Sequence, residues 1–266
     1  MLWLLYFGNN SVSLKKILAL SSIYIFTSIK TKQLMKNILR LIVCALCLSA
    51  LTLHAQSSLL DYWSFKDASD GDGLRDVNNS GRLKTEWNLN TKSEGDTVSS
   101  GKLGFTGDDK YTRRATSASS IGLNTLGTAF RFEVNFASWD LTNVAVNNKI
   151  SFKLSEGKGG SSKNLAQVIL EKNSATTARV RFSTRLSNGT QFYRDYPVSL
   201  SNNTAQTFAV EFLLDGKVNY IVDGTKVHTS TKNFGGVTKY KETLVVKDFS
   251  GEAGNVVKLN SFGFMN

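Results

Sequence analysis

The chain has 266 residues, with 32 Lys+Arg against 21 Asp+Glu for a formal net charge of +11, and only two cysteines and two histidines. Residues 1–55 hold six of the basic residues and no acidic one, so the remainder carries 26 against 21, a net +5. They also hold Cys44, Cys47 and His54, which excludes from the remainder any disulfide, thiolate metal ligand or catalytic pair of imidazoles.

In chain order, Met1 to Leu34 carries a short apolar run, Ile17 to Ile29, without an acidic residue, and reads as an over-long start upstream of a true initiator at Met35. From Met35 the chain reads as a secretory signal: Lys36 and Arg40, then the apolar run Leu41 to Leu53, then a small-residue cleavage edge at Leu53-His54-Ala55. Thirteen apolar residues fall short of the roughly 20 that cross a bilayer, so no membrane insertion is expected after cleavage. The expectation is a secreted, extracytoplasmic protein beginning at Gln56, with 56–266 as a single domain.

Beyond Gln56 the apolar residues alternate with polar ones or come in short bursts bounded by Gly, Asn, Asp or Ser, and no amphipathic helix stands out. Strands are predicted at 59–65, 103–105, 130–136, 150–155, 166–171, 178–186, 191–196, 207–214, 218–222, 226–229, 243–247 and 256–264. Phe130 to Phe136 alternates strictly, with Arg131, Glu133 and Asn135 on one face. Asn188-Gly189, Asp215-Gly216 and Asp223-Gly224 each predict a two-residue hairpin loop. The lone Pro197 falls at a strand end. These elements predict an all-β, two-sheet antiparallel β-sandwich or a barrel.

Three segments carry a resemblance. Leu60-Asp61-Tyr62-Trp63-Ser64-Phe65 with Asp76-Val77-Asn78-Asn79-Ser80-Gly81, then Gly101 to Tyr111, then Val218-Asn219-Tyr220-Ile221-Val222-Asp223-Gly224 resemble, in that order, the signatures of laminin G-like, concanavalin A-like modules. The resemblance implies a jelly-roll sandwich whose members mostly handle carbohydrate, some as binding modules and some as hydrolases or lyases. A secreted carbohydrate-binding protein is the leading expectation, with a polysaccharide as partner and nucleic acid ranked last because no binding motif accompanies the charge. A polysaccharide lyase and a cell-surface adhesion protein are the alternatives.

The two-residue loop at Asn188-Gly189 would pair Arg185 with Phe192, Ser183 with Arg194 and Arg181 with Tyr196. One face would then show Arg179, Arg181, Arg185, Arg194, Phe192 and Tyr196, a surface suited to an anionic polysaccharide. Trp87 and Trp139, in polar surroundings, are candidates for stacking on sugars, whereas Trp63 reads as core. Arg131-Phe132-Glu133-Val134-Asn135 and Gln167-Val168-Ile169 resemble a degraded form of two alginate-lyase-like motifs, with Asn135 and Ile169 standing where an arginine and a histidine belong. On that reading Tyr196, Arg181, Gln167 and Arg131 are the candidate catalytic residues, with Tyr196 beside Arg181 in the place of the base and the Arg-rich hairpin holding the acid groups. No tight set of paired carboxylates supports a hydrolase. No cofactor is expected, apart from a weak calcium candidate in the loop bearing Asp67, Asp70, Asp72 and Asp76. His228, at the end of a predicted strand, reads as a surface residue.

Overall fold

The computed structural model describes residues 59–83, 85–87, 96–107, 110–122, 129–157, 164–230, 239–249 and 252–266; the expected signal segment lies outside them. In chain order the strands are β1 (Leu59–Ser64), β2 (Glu86–Trp87), β3 (Asp96–Ser99), β4 (Lys102–Gly107), β5 (Lys110–Gly122), β6 (Phe130–Asp140), β7 (Lys149–Ser155) and β8 (Asn164–Lys172). They continue as β9 (Ala178–Arg185), β10 (Gln191–Val198), β11 (Ser201–Asn202), β12 (Gln206–Phe212), β13 (Val218–Val222), β14 (Thr225–Thr229), β15 (Lys239–Asp248) and β16 (Glu252–Met265). A single 3₁₀ turn, Leu74–Asp76, is the one helical element among the described residues.

All pairings are antiparallel. A nine-stranded sheet runs β14-β13-β12-β6-β16-β4-β3, with β1 on β16 and β11 on β6, and a seven-stranded sheet runs β10-β9-β8-β7-β15-β5-β2. Alternation aims Phe132, Val134 and Phe136 of β6 and Phe208 of β12 inward, against Phe152 of β7, Val168 of β8 and Phe182 of β9, all fully buried. Edge-on contacts such as Phe136 to Phe152, 5.8 Å between centroids, knit the two sheets together. Each such ring stabilises the sandwich by about 1.5–3 kcal/mol.

The core also claims the tryptophans. Trp63 packs 5.0 Å from Trp87, which is only 6% exposed, and Trp139 is 2% exposed with its indole N–H donating to the Ser199 carbonyl at 2.9 Å. Trp87 and Trp139 are therefore core residues and not exposed stacking platforms, a correction to the expectation drawn from their polar neighbours.

Turn chemistry supplies a second correction. Of the three loops predicted to have two residues, only Asp223 (φ +49°) and Gly224 (φ +75°) form one, closing Val222 against Thr225. At Asn188-Gly189 the loop has three residues: the Leu186 N–H donates to Thr190 O at 2.8 Å, the Gly189 N–H donates to Leu186 O at 2.9 Å, and Gly189 takes φ +86° as a bulge. The Asp215-Gly216 loop is closed the same way between Leu213 and Lys217. One added loop residue shifts β10 by one position against β9, which turns all of its side chains over.

The motif that carries the resemblance near the N-terminus of the domain is a latch. Asn79 Oδ1 accepts the N–H of Tyr62 at 3.0 Å and of Gly81 at 2.9 Å, while Nδ2 donates to the Asp61 carboxylate and to Thr85 O at 3.1 Å. Tyr240, fully buried on β15, donates its hydroxyl to the other Asp61 oxygen, tying the two sheets together. Gly81 is required there because a Cβ would lie 2.3 Å from the Leu60 carbonyl oxygen.

Candidate functional site

The outer face of the seven-stranded sheet is built in rows, since residues directly opposite one another on neighbouring strands share a face. One row reads Leu244 on β15, Lys153 on β7, Gln167 on β8, Ser183 on β9 and Tyr193 on β10. Strand spacing of about 4.8 Å makes that row about 19 Å long. The next row reads Val246, Ser151, Ile169, Arg181 and Asp195, and the one beyond it Asp248, Lys149, Glu171, Arg179 and Pro197. The floor is sheltered: Ser151, Gln167, Ile169, Glu171 and Ser183 are each at most 8% exposed.

Hydrogen bonds run along the central row. Gln167 Nε2 donates to Ser183 Oγ at 3.2 Å, Ser183 Oγ donates to Gln191 Oε1 at 2.7 Å, and Gln191 Nε2 donates to the Asn164 carbonyl at 2.9 Å. Tyr193 stands at the row's end, 51% exposed, with the Arg181 guanidinium 5.3 Å from its ring centroid. It is the exposed ring that the sequence reading misses, because the two-residue loop assigns it to the inner face.

Arg179, Arg181 and Arg185 lie on this outer face as expected, but each has a carboxylate partner. Arg181 grips Asp195 with Nε–Oδ1 2.7 Å and Nη2–Oδ2 3.1 Å, and Arg179 joins Asp195 at 2.9 Å and Glu171 at 3.0 Å. Arg185 forks onto Glu156 at 2.6 and 2.9 Å, and Arg114 of β5 meets Glu242 at 2.9 Å. The Arg181 bonds hold the Asp195 carboxyl below its usual range. The face is thus close to charge balance, unlike the strongly basic surface expected.

Phe192, Arg194 and Tyr196 lie on the opposite face of β10, opposite Thr184, Phe182 and Val180. Phe192 and Tyr196 pack half-buried on the core, with Tyr196 6.1 Å from the Phe208 ring. Tyr196 and Trp139 line a hollow of about 420 Å³ with Pro197, Ser199 and Asn202, and none of the expected arginines lines it.

The residues of the lyase reading do not meet. Arg131 is on β6, on the outer face of the nine-stranded sheet, bound to Glu133 at 2.6 Å, while Gln167 and Arg181 lie on the outer face of the other sheet. Tyr196 points away from both. His228, on β14, stacks on Tyr220 at 5.9 Å.

In the acidic loop, the carboxylates face backbone amides and not a common centre. Asp70 accepts from Ser100 N at 2.7 Å, Asp72 from Ser69 N at 2.9 Å, and Asp76 from Gly73 N at 3.0 Å. Among the described residues no group of three or more His, Cys, Asp or Glu side chains is placed to hold a metal ion, so the calcium arrangement drawn from Asp70, Asp72 and Asp76 is not formed.

No family model and no curated protein matches the sequence. Among solved structures, the chain is similar to the receptor binding domain of botulinum neurotoxin mosaic serotype C/D, with TM-score 0.55 and 10% identity over 79% of this chain and 48% of that one. It is also similar to a structure of botulinum neurotoxin type C, whose cell entry depends on interaction with two ganglioside molecules, with TM-score 0.53 and 9% identity over 80% of this chain and 49% of that one. The Emp47p carbohydrate recognition domain matches with TM-score 0.49 and 14% identity over 79% of this chain and 95% of that one. The chain spans about half the length of the toxin structures it matches. The fold is a concanavalin A-like jelly roll.

Proposed function

We propose that this is an exported carbohydrate-binding protein that lays a polysaccharide across the outer face of its seven-stranded sheet. The observation that carries the reading is the row Tyr193, Ser183, Gln167, Lys153: an exposed ring, then the linked Ser183 and Gln167, then an ammonium, on a sheltered floor. Sugars present apolar ring faces beside hydroxyls that both donate and accept, and such a track answers both. Preformed ion pairs hold the arginines in place, so little rotamer entropy is lost on binding. Export rests on the segment from Met35 to Ala55, and N-terminal sequencing of the mature protein should begin at Gln56.

Binding is preferred over β-elimination because Arg131 and Tyr196 are held away from Gln167 and Arg181. Native affinity electrophoresis through gels containing pectate, alginate, ulvan or neutral glucans tests the reading. Retardation by one polymer, lost in Tyr193→Ala, supports it; retardation unchanged in that variant places binding elsewhere. Absorbance from an unsaturated product would show cleavage and overturn it.

A further inference from the structure

We infer that Lys153, with Ser151 and Lys149 beside it on β7, forms a subsite for one negatively charged group, the carboxylate or sulfate of an acidic sugar residue. The inference rests on the glycan-binding reading of this face.

Four arginines on the sheet are ion-paired, yet neither the Lys149 nor the Lys153 side chain forms an ion pair or a hydrogen bond with any described residue. The two lysines share one face with Ser151 between them, each about 7 Å along the strand from the serine and about 13 Å from the other at the backbone. Lys153 is half-buried in the middle of the sheet, with Gln167 opposite on one side and the apolar Leu244 on the other. Ser151, 3% exposed, has Ile169 and Val246 opposite it. Lys149 has Glu171 and Asp248 opposite, with Glu171 already holding Arg179.

A half-buried ammonium without a counter-ion is costly. Burial first, and the Lys149 ammonium second, pull the Lys153 pKa below the ordinary lysine range. A structural lysine at this position would have acquired a carboxylate, as the arginines beside it have. An anion seated over Ser151 relieves both the missing partner and the Lys149–Lys153 repulsion, and the serine hydroxyl is there to donate to it. Because the arginines are neutralised, this strip supplies the charge selectivity that the face otherwise lacks.

Pectate and its methyl ester share one backbone and differ in charge, so they isolate the subsite; a sulfated galactan separates sulfate from carboxylate. Wild type should bind pectate or the sulfated galactan about tenfold or more tighter than the esterified pectin. Lys153→Met and Lys153→Gln should bring the charged and uncharged polymers to near parity, whereas Tyr193→Ala should weaken all of them in the same proportion. Equal binding of pectate, sulfated galactan and ester by wild type, or charge discrimination that survives in both Lys153 variants, would overturn the subsite and leave the platform standing. Retention on no polymer would overturn the platform and the subsite together.

Discussion

The cluster around Asp61 and the outer face of the seven-stranded sheet are both polar and both sheltered from water. In the first, the Asp61 carboxylate accepts from Asn79, from Tyr240 and from the Thr85 amide, and Asn79 spreads its amide over Tyr62, Gly81 and Thr85. In the second, the four arginines are ion-paired, but two lysine side chains have no partner among the described residues and a tyrosine stands half in solvent. A closed polar network rigidifies a fold, whereas unpaired cations in a sheltered face are costly until a counter-charge reaches them. The resembling N-terminal motif thus belongs to the architecture, and the subsite proposal gives the lysine strip a role in recognition.

The comparison predicts that damage to each region has a different signature. Asn79→Ala should have the largest effect on stability, roughly 3 kcal/mol by denaturant unfolding, because buried partners lose their bonds at once; affinity of the folded fraction should not change. Tyr193→Ala should reverse that pattern, weakening glycan retention about tenfold while moving stability by no more than about 0.5 kcal/mol. Lys153→Met should leave the melting temperature unchanged or raise it slightly, since it removes a half-buried charge with no partner. A fall as large as that of the Asn79 variant would place Lys153 among the architectural residues.

The smallest expected effects are in the pH dependence, where the two regions have opposite signs. Burial raises the Asp61 pKa above 3.8 against the pull of its hydrogen bonds. Its contribution to stability is therefore full below about 3.8 and lost as pH rises through the folded value. Asp195 is lowered by Arg181, so its contribution is present above about 3.8 and lost as pH falls through the folded value. Melting curves should show the gap between wild type and Asp195→Asn closing in acid, while Asp61→Asn removes the component that declines towards neutral pH. The same sign in both variants would contradict the assignment.

Much of the sandwich is legible from alternation: β6, β7 and β9 lie where period-two patterning puts them, because Phe130 to Phe136, Ile150 to Leu154 and Ala178 to Phe182 each bury every second residue as an apolar stripe. The long β5 escapes because its Ser, Thr and Ala side chains offer no apolar period, and β3 is too short to show one. The site is less legible. Asn188-Gly189 is compatible with a two- or a three-residue loop, and only the Leu186–Thr190 pairing decides which. That one residue exchanges Tyr193 for Tyr196 and Asp195 for Arg194 on the outer face, changing an expected basic patch into a nearly neutral one. Nor does local sequence show that Arg185 will meet Glu156, or that Arg131 and Gln167 will lie on different sheets. The polar surroundings of Trp87 and Trp139 in the chain likewise say little about their surroundings in space.

The central claim is tested most directly by amide NMR mapping with an oligosaccharide of whichever polymer retains the protein. Perturbations confined to residues 149–155, 165–171, 179–185 and 191–197, with the Lys153 side chain shifting only for a charged sugar, are the predicted result. Perturbations centred on β6, β12 and β13 of the nine-stranded sheet, or on the loop from Asp67 to Asp76, would contradict it.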